Sequence, residues 1–364
     1  MSWILVFLGF SLLIILHEGG HYAAAKATGM RVEKFFLFLG PKLVSFKRGE
    51  TEYGIAAIPL GGFVKISGMN PEEELSPEVA DRAYYRQPVW KRIVVIGAGP
   101  AVNIVLAFAI LFFVSFSFPE PNNTVGSVEA HSPAAAAALR PGDRLVSVDG
   151  KSFPHASQVE RLERFSNIIA AHKCAKAKLA DGCRSTAPVN LGIKRSGGLR
   201  FVAVYPAYDS ANKRFRVGIE YGSVPAASSA GEATTFAWSK VWLVASGTFH
   251  VFSHIFESQE RKQVSGIVGV SDVAHQTIGL GATPALLLLA LVSLSLGLIN
   301  LLPILPLDGG HIFWSLMEKL RGKPVPLRVI ERATVVGFAL VAVLMVIGFS
   351  NDIGRLGGEG FNVR

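Results

Sequence analysis

Four apolar runs, at 3–25, 93–118, 285–302 and 333–349, set the strongest constraint on what this chain can fold into. About 20 apolar residues cross the hydrocarbon core of a bilayer as a helix, and the two shorter runs reach that length with a few flanking residues. Of the 364 residues, 50% are hydrophobic and only 17% are charged, with the apolar residues gathered in blocks. Such a chain is too apolar for an ordinary soluble enzyme. A signal peptide fits the first run poorly. Met1-Ser2-Trp3 carries no Lys or Arg, and the run exceeds the roughly 7–15 residues of a signal core.

The formal charge of +9 invites a nucleic-acid partner, but the basic residues lie where membrane topology places them. Eleven of them, from Lys26 to Arg92, fall between the first and second runs, and Lys319, Arg321, Lys323, Arg328 and Arg332 fall between the third and fourth. The positive-inside rule assigns both loops to the cytoplasm. The N-terminus, 119–284 and the C-terminal tail then lie outside, and no nucleic-acid partner is expected. Cys174 and Cys183 both fall in the external segment. An oxidising compartment permits a disulfide between them, and two free thiols remain equally open.

Inside the first run stands His17-Glu18-Gly19-Gly20-His21. On a helix, imidazoles at i and i+4 share one face and can hold a metal, while the intervening Glu serves as a base toward water. The letters alone recur by chance. Their place carries the weight, because an ionised carboxylate at mid-span costs on the order of 2–3 kcal/mol, and such groups mark interior sites.

The matching half lies far along the chain, in Asn300-Leu301-Leu302-Pro303-Ile304-Leu305-Pro306-Leu307-Asp308-Gly309-Gly310-His311. Two prolines break the third run and a lone carboxylate follows. A hydrolytic zinc site needs three protein ligands and one open position. His17 and His21 supply two, and Asp308 is the natural third. His17 lies about 21 Å along the first helix from Trp3. That depth matches the break in the third run. His311 competes as a ligand on spacing alone, with a solvent-facing role expected. A helix-capping Asp in a Pro/Gly turn is the bland alternative for Asp308.

Between these halves, 31–68 reads as short β-runs broken by Gly and Pro, a small antiparallel hairpin sheet turning at Arg48-Gly49-Glu50. A further strand is expected at 60–66, and its apolar character suggests that the sheet dips toward the bilayer. The second run opens with Gly97-Ala98-Gly99-Pro100-Ala101-Val102-Asn103, where Asn103 is read equally as a packing element or as part of a site. Ser132-Pro133 caps a helix expected over 134–139, and Pro141 to Lys151 reads as strands between tight turns. This stretch resembles the PDZ domain of bacterial membrane and periplasmic proteases, which implies binding of an extended peptide or chain terminus. The stretch 166–190, holding both cysteines, reads as an insertion. From Phe236 to Phe256 a Trp/Phe stripe fits an amphipathic helix, set either on the outer membrane surface or against the PDZ region.

Taken together, the motifs resemble the site-2 proteases, in the branch of the regulator-of-sigma-E proteases. The likeness spans essentially the whole chain: His17-Glu18-x-x-His21, Thr51-Glu52-Tyr53, Ile58-Pro59-Leu60-Gly61-Gly62, Gly99-Pro100-x-x-Asn103, Ser265-Gly266-Ile267 and Asn300-x-x-Pro303-x-x-x-x-Asp308-Gly309. One PDZ domain is evident where some relatives carry two, and Pro306 follows Pro303 at a spacing of three where some have two.

The resemblance implies a polytopic α-helical membrane protein with four transmembrane helices, a membrane-associated β-hairpin sheet and one extracytoplasmic PDZ domain. Its transmembrane helices are expected at 1–26, 91–119, 283–303 and 333–350, with a cytoplasmic-side hairpin and loop at 27–90 and the PDZ domain at 120–222. An amphipathic region follows at 223–282, a cytoplasmic-side loop with Asp308 at 304–332 and a tail at 351–364.

The implied activity is zinc-dependent cleavage of transmembrane segments of single-pass proteins in the inner membrane of a bacterium, with the active site toward the cytoplasm. An anti-sigma factor already cut once and remnant signal peptides are the implied substrates, with the lipid bilayer and a peptide at the PDZ domain as further partners. Glu18 is the implied base, His17, His21 and Asp308 the zinc ligands, and Asn300, Pro303, Gly61, Gly62 and Asn103 candidate substrate-binding residues. An inert PDZ scaffold, or a membrane metalloprotease with a Glu as third ligand, are the rival readings.

Overall fold

The computed structural model describes residues 2–70, 72–175, 180–254, 257 and 265–356. Pro71 of the acidic loop, 176–179 of the insertion, Phe256 of the Trp/Phe stripe and 357–364 of the tail lie outside the described residues. In chain order, helix α1 (Ser2–Ala27) leads into strands β1 (Val32–Arg48) and β2 (Thr51–Ile66), then helix α2 (Val89–Val114). Next come β3 (Pro119–Val128), β4 (Arg144–Val148), helix α3 (Gln158–Ala170), β5 (Val189–Arg195), β6 (Gly198–Val204), β7 (Ala207–Asp209), β8 (Arg214–Arg216) and β9 (Ile219–Pro225). Helices α4 (Ala230–Ser253), α5 (Ile267–Gly279), α6 (Ala282–Asn300), α7 (Asp308–Arg321) and α8 (Leu327–Leu356) follow. The chain forms two compact units, Met1–Ser115 with Ser229–Arg364, and Phe116–Ser228.

In the first unit, α1, α2, α6 and α8 are long and apolar enough to cross a membrane. Even α6, with 19 residues, is about 28 Å long at 1.5 Å per residue. Their outward side chains stay apolar, such as Val105 and Phe113 on α2 and Val335, Phe338 and Val346 on α8. Lipid solvates such surface and forces the backbone to bond within each helix. Helix α2 is the hub, packing on α1, α4, α6 and α7. Small residues let the backbones close in: a Cβ at Gly20 would lie 2.6 Å from the Ala98 carbonyl oxygen, and one at Gly297 3.0 Å from that of Pro100.

Arg92 of α2, 8% exposed, meets Glu318 of α7 through two hydrogen bonds of 2.6 and 2.9 Å. Arg92→Met is expected to cost about 1.5–3 kcal/mol, because half-buried Glu318 loses two charge-assisted hydrogen bonds and its counter-charge. The double substitution Arg92→Met/Glu318→Leu should recover most of that loss. Thermal unfolding of both variants in detergent measures it; a double variant no better than the single one would remove the pair from the account of how α7 is held.

The hairpin is more folded than two labelled strands suggest. Residues 34–37 of β1 pair on one side with 52–55 and on the other with 62–65 of β2, while 42–48 pair with 51–56. The further strand expected at 60–66 is therefore the last part of β2. At the hairpin tip, Glu50 accepts from Arg82 through both oxygens (2.7 and 2.8 Å) and from Lys26 (2.6 Å). Those cations hold its carboxyl down at about 2 and tie the tip to the end of α1.

Three elements differ from expectation. Asp308 does not sit in a loop over 304–332; it begins helix α7, with Lys319 and Arg321 in the last turn and Gly322 left-handed (φ 67°) beyond it. A separate helix α5 stands within 223–282, its first amides (Gly266 and Gly269) capped at 3.1 and 2.8 Å by Asp352, which reaches over from α8. The Trp/Phe stripe runs along α4. Phe236 and Val241 are buried where α4 packs on α2 and α6, whereas Trp238, Trp242 and Phe249 point outward.

The second unit is an antiparallel five-stranded sheet in the order β6-β5-β4-β3-β9, with α3 against β3, β4 and β8. Leu145, Leu191, Ile193 and Phe165 fill its core. Ser132 caps the turn Pro133–Ala136, shorter than the helix expected over 134–139 because Ala138 adopts a left-handed conformation (φ 56°). Cys174 and Cys183 are joined as a disulfide.

Candidate metal centre

Helix α1 carries His17 and His21 one turn apart, both 7% exposed, with their rings edge to face at 4.9 Å. Helix α7 brings Asp308 to them. The Asp308 Oδ2 atom lies 3.2 Å from His17 Nε2 and 3.4 Å from His21 Nε2, and the two Nε2 atoms are 3.3 Å apart. The three ligand-type atoms form a nearly equilateral triangle. Around a tetrahedral zinc with bonds of about 2.0–2.1 Å, ligand atoms stand roughly 3.3–3.4 Å apart. Asp308 Oδ2 is buried and meets no hydrogen-bond donor among the described residues. A buried carboxylate oxygen facing two imidazole nitrogens calls for a cation, so the residues fit zinc.

Tight backbone approaches make this possible. A Cβ at Gly99 would run into the His21 imidazole, so only Gly lets α2 stand beside that ring. Substituting Gly309 would drive its side chain into the Leu301–Leu302 backbone, so the turn before α7 closes only with Gly there. His21 Nδ1 bonds the Val95 carbonyl oxygen at 2.9 Å; a carbonyl only accepts, so Nδ1 carries the proton and Nε2 is free to bind metal.

Beside the triangle opens a cavity of about 350 Å³. His17, Glu18, His21, Asn300, Asp308 and His311 bring its polar groups, and Ile14, Ile66, Ile96 and Leu296 its apolar walls. Gly61, Gly62, Phe63 and Val64 add a β-edge, and a Cβ at Gly62 would lie 3.0 Å from Glu18 Cγ. The 62–65 segment pairs on one side only among the described residues.

The expected residues are thus brought together unevenly. His17, Glu18, His21, Asp308, Asn300, Gly61 and Gly62 line one cavity. Asn103 does not: it is 0% exposed, packed behind His17. Pro303 does not either, since it sits exposed on the outside of the turn while Pro306 lines the cavity. His311 faces the cavity and not solvent, because a helical α7 places it one turn after Asp308 on the same face. The apolar walls escaped the sequence reading, although Ile14 precedes His17 by three residues and Leu296 precedes Asn300 by four, both helical-face spacings.

The profile of peptidase family M50 matches residues 5–344. The chain belongs to peptidase family M50. Relatives in the family include the zinc metalloprotease Rip1 of Mycobacterium bovis, 31% identical over 344 residues, which cover 85% of this chain and 83% of Rip1. A Clostridium perfringens protein is 33% identical over 355 residues (97% of this chain, 98% of its own), and a Mesorhizobium japonicum protein 32% over 361 residues (94% and 96%). Both are named provisionally as zinc metalloproteases. Like other M50 enzymes, the site-2 proteases, this protein is a membrane zinc metalloprotease.

Proposed function

We propose that this M50 enzyme cuts transmembrane segments of single-pass proteins in regulated intramembrane proteolysis, with His17, His21 and Asp308 holding zinc and Glu18 as general base. The observation that carries the reading is the ligand triangle, which opens with Glu18 onto an apolar-walled cavity in a unit built of membrane-length helices. Bound zinc supplies Lewis acidity, which brings the pKa of water toward neutrality and polarises a peptide carbonyl. Glu18 takes the proton from the attacking water and returns it to the leaving amine. A helical segment keeps its amides bonded and shielded, so it must unwind before attack. The one-sided strand at 62–65 offers an extended segment a line of backbone partners, and Asn300 a side-chain bond beside it.

The basic residues gathered on the hairpin and on 319–332 support a cytoplasmic-side active site in a bacterial inner membrane. The Cys174–Cys183 disulfide supports an oxidising location for the second unit. Its antiparallel sheet with one flanking helix, together with the Ser132-Pro133 to Gly150 pattern, supports a PDZ-type filter for chain termini. An anti-sigma factor shortened by an earlier protease, or a remnant signal peptide, is the substrate this arrangement suits.

The test is reconstitution of the full chain in vesicles with a single-pass peptide lacking an outer domain. Cleavage within the apolar segment, stopped by a chelator and restored by zinc, is the expected result. Cuts confined to soluble flanks would overturn the reading.

A further inference from the structure

We propose that Asn103 is a positioning residue for His17: its side-chain oxygen accepts a hydrogen bond from His17 Nδ1–H and so turns the Nε2 lone pair toward the metal site. The inference rests on the reading of His17, His21 and Asp308 as zinc ligands.

Asn103 is fully buried in the middle of α2, where an amide without partners is costly. Its Nδ2 lies 3.4 Å from His17 Nδ1, while its Oδ1 is buried with no hydrogen-bond partner. The nitrogen and oxygen of a carboxamide have nearly the same shape, so the bonding network decides which end faces the ring. His17 Nε2 is the atom that meets Asp308 and His21. A neutral imidazole offering Nε2 to a metal carries its proton on Nδ1, and a protonated Nδ1 needs an acceptor. Turning the carboxamide by 180° supplies one, and the tautomer that metal binding by Nε2 requires, not the count of satisfied groups, decides for this orientation.

The second ligand supports the assignment independently. His21 already has its Nδ1 on an acceptor, the Val95 carbonyl oxygen of the same helix α2. Helix α2 thereby orients both imidazoles, one through its backbone and one through Asn103, while Gly99 between them leaves room for the His21 ring. The Asn103 backbone carbonyl is itself held at 2.9 Å by the Ser293 hydroxyl of α6, which fixes the residue between the two spans. Outer partners of this kind, a carbonyl or carboxamide oxygen behind a ligating histidine, set ring tautomer and ligand basicity.

The experiment measures zinc affinity of the detergent-purified full chain by competition with a chromophoric chelator, for wild type, Asn103→Leu, Asn103→Asp and His17→Ala. Asn103→Leu keeps the shape without an acceptor and should bind zinc about 10–100-fold more weakly. Asn103→Asp retains an acceptor and should stay near wild type, a rescue that a purely structural role would not produce. Equal affinity of Asn103→Leu and wild type, or Asn103→Asp as weak as Asn103→Leu, overturns the proposal. If Asn103→Leu fails to fold, 15N spectra of the zinc-loaded wild type decide: a protonated His17 Nδ1 is expected, and a bare Nδ1 overturns it. His17→Ala separates the two levels, since full zinc occupancy there removes the metal-site reading itself.

Discussion

Glu18→Gln is expected to slow peptide hydrolysis by about 10²–10⁴-fold while zinc stays bound. Gln keeps the volume and the oxygen acceptor of Glu but has no basic oxygen to take the proton of the attacking water. Glu18 is packed against Gly62, so the substitution fits the same space without moving α1. None of the three proposed ligands changes. The metal content of the purified variant should therefore equal that of wild type, and a transmembrane substrate should remain bound for capture. Single-turnover cleavage together with zinc content measures both halves. A variant that keeps near-normal turnover would dismiss Glu18 as the base and leave a different base to be considered.

Asp308→Ala has the opposite signature: activity and zinc are lost together. Loss of an orienting partner behind a ligand weakens metal binding by about 10–100-fold. Loss of a ligand atom itself should exceed that, and it also leaves two imidazoles without the carboxylate that faces them at 3.2 and 3.4 Å. The fold should survive, because an acidic residue in the first turn of a helix contributes only about 0.3–1 kcal/mol. Chelator-stripped wild type should regain both zinc and activity on adding metal, and Asp308→Ala should regain neither. Full zinc occupancy in Asp308→Ala would shift the third ligand elsewhere. His311 would then be the first residue to examine, since it lines the same cavity.

The parts of the fold that a bilayer dictates were legible in the chain. Apolar runs announce spans because lipid leaves few other solutions, and α1, α2, α6 and α8 follow them within several residues at each end. The pairing of His17-Glu18-x-x-His21 with Asp308 was legible for a related reason: charge at that depth demands a partner. What escaped were features set by contacts distant in sequence. Helix α5 depends on a cap from Asp352, far along the chain, and its own residues give little signal. The start of α7 was hidden because Pro306 and Gly309-Gly310 read as a turn, although Lys319, Arg321 and Gly322 mark its end. The place of Asn103 beside His17 was hidden because a polar residue in a span indicates a partner without saying whether substrate or a histidine is meant. That Pro306 and not Pro303 lines the cavity was hidden because a bend has two sides and only tertiary packing chooses between them.

The spacing of the three proposed ligands along the chain has a consequence for biosynthesis. His17 and His21 leave the ribosome well before Asp308, which emerges only after α6 has been made. The proposed ligand set therefore stays incomplete while the residues between His21 and Asp308 are made. A chain in which α7 has not yet been made carries the two imidazoles without the carboxylate that faces them. If these three residues hold the metal, their order along the chain itself delays assembly of the centre during synthesis.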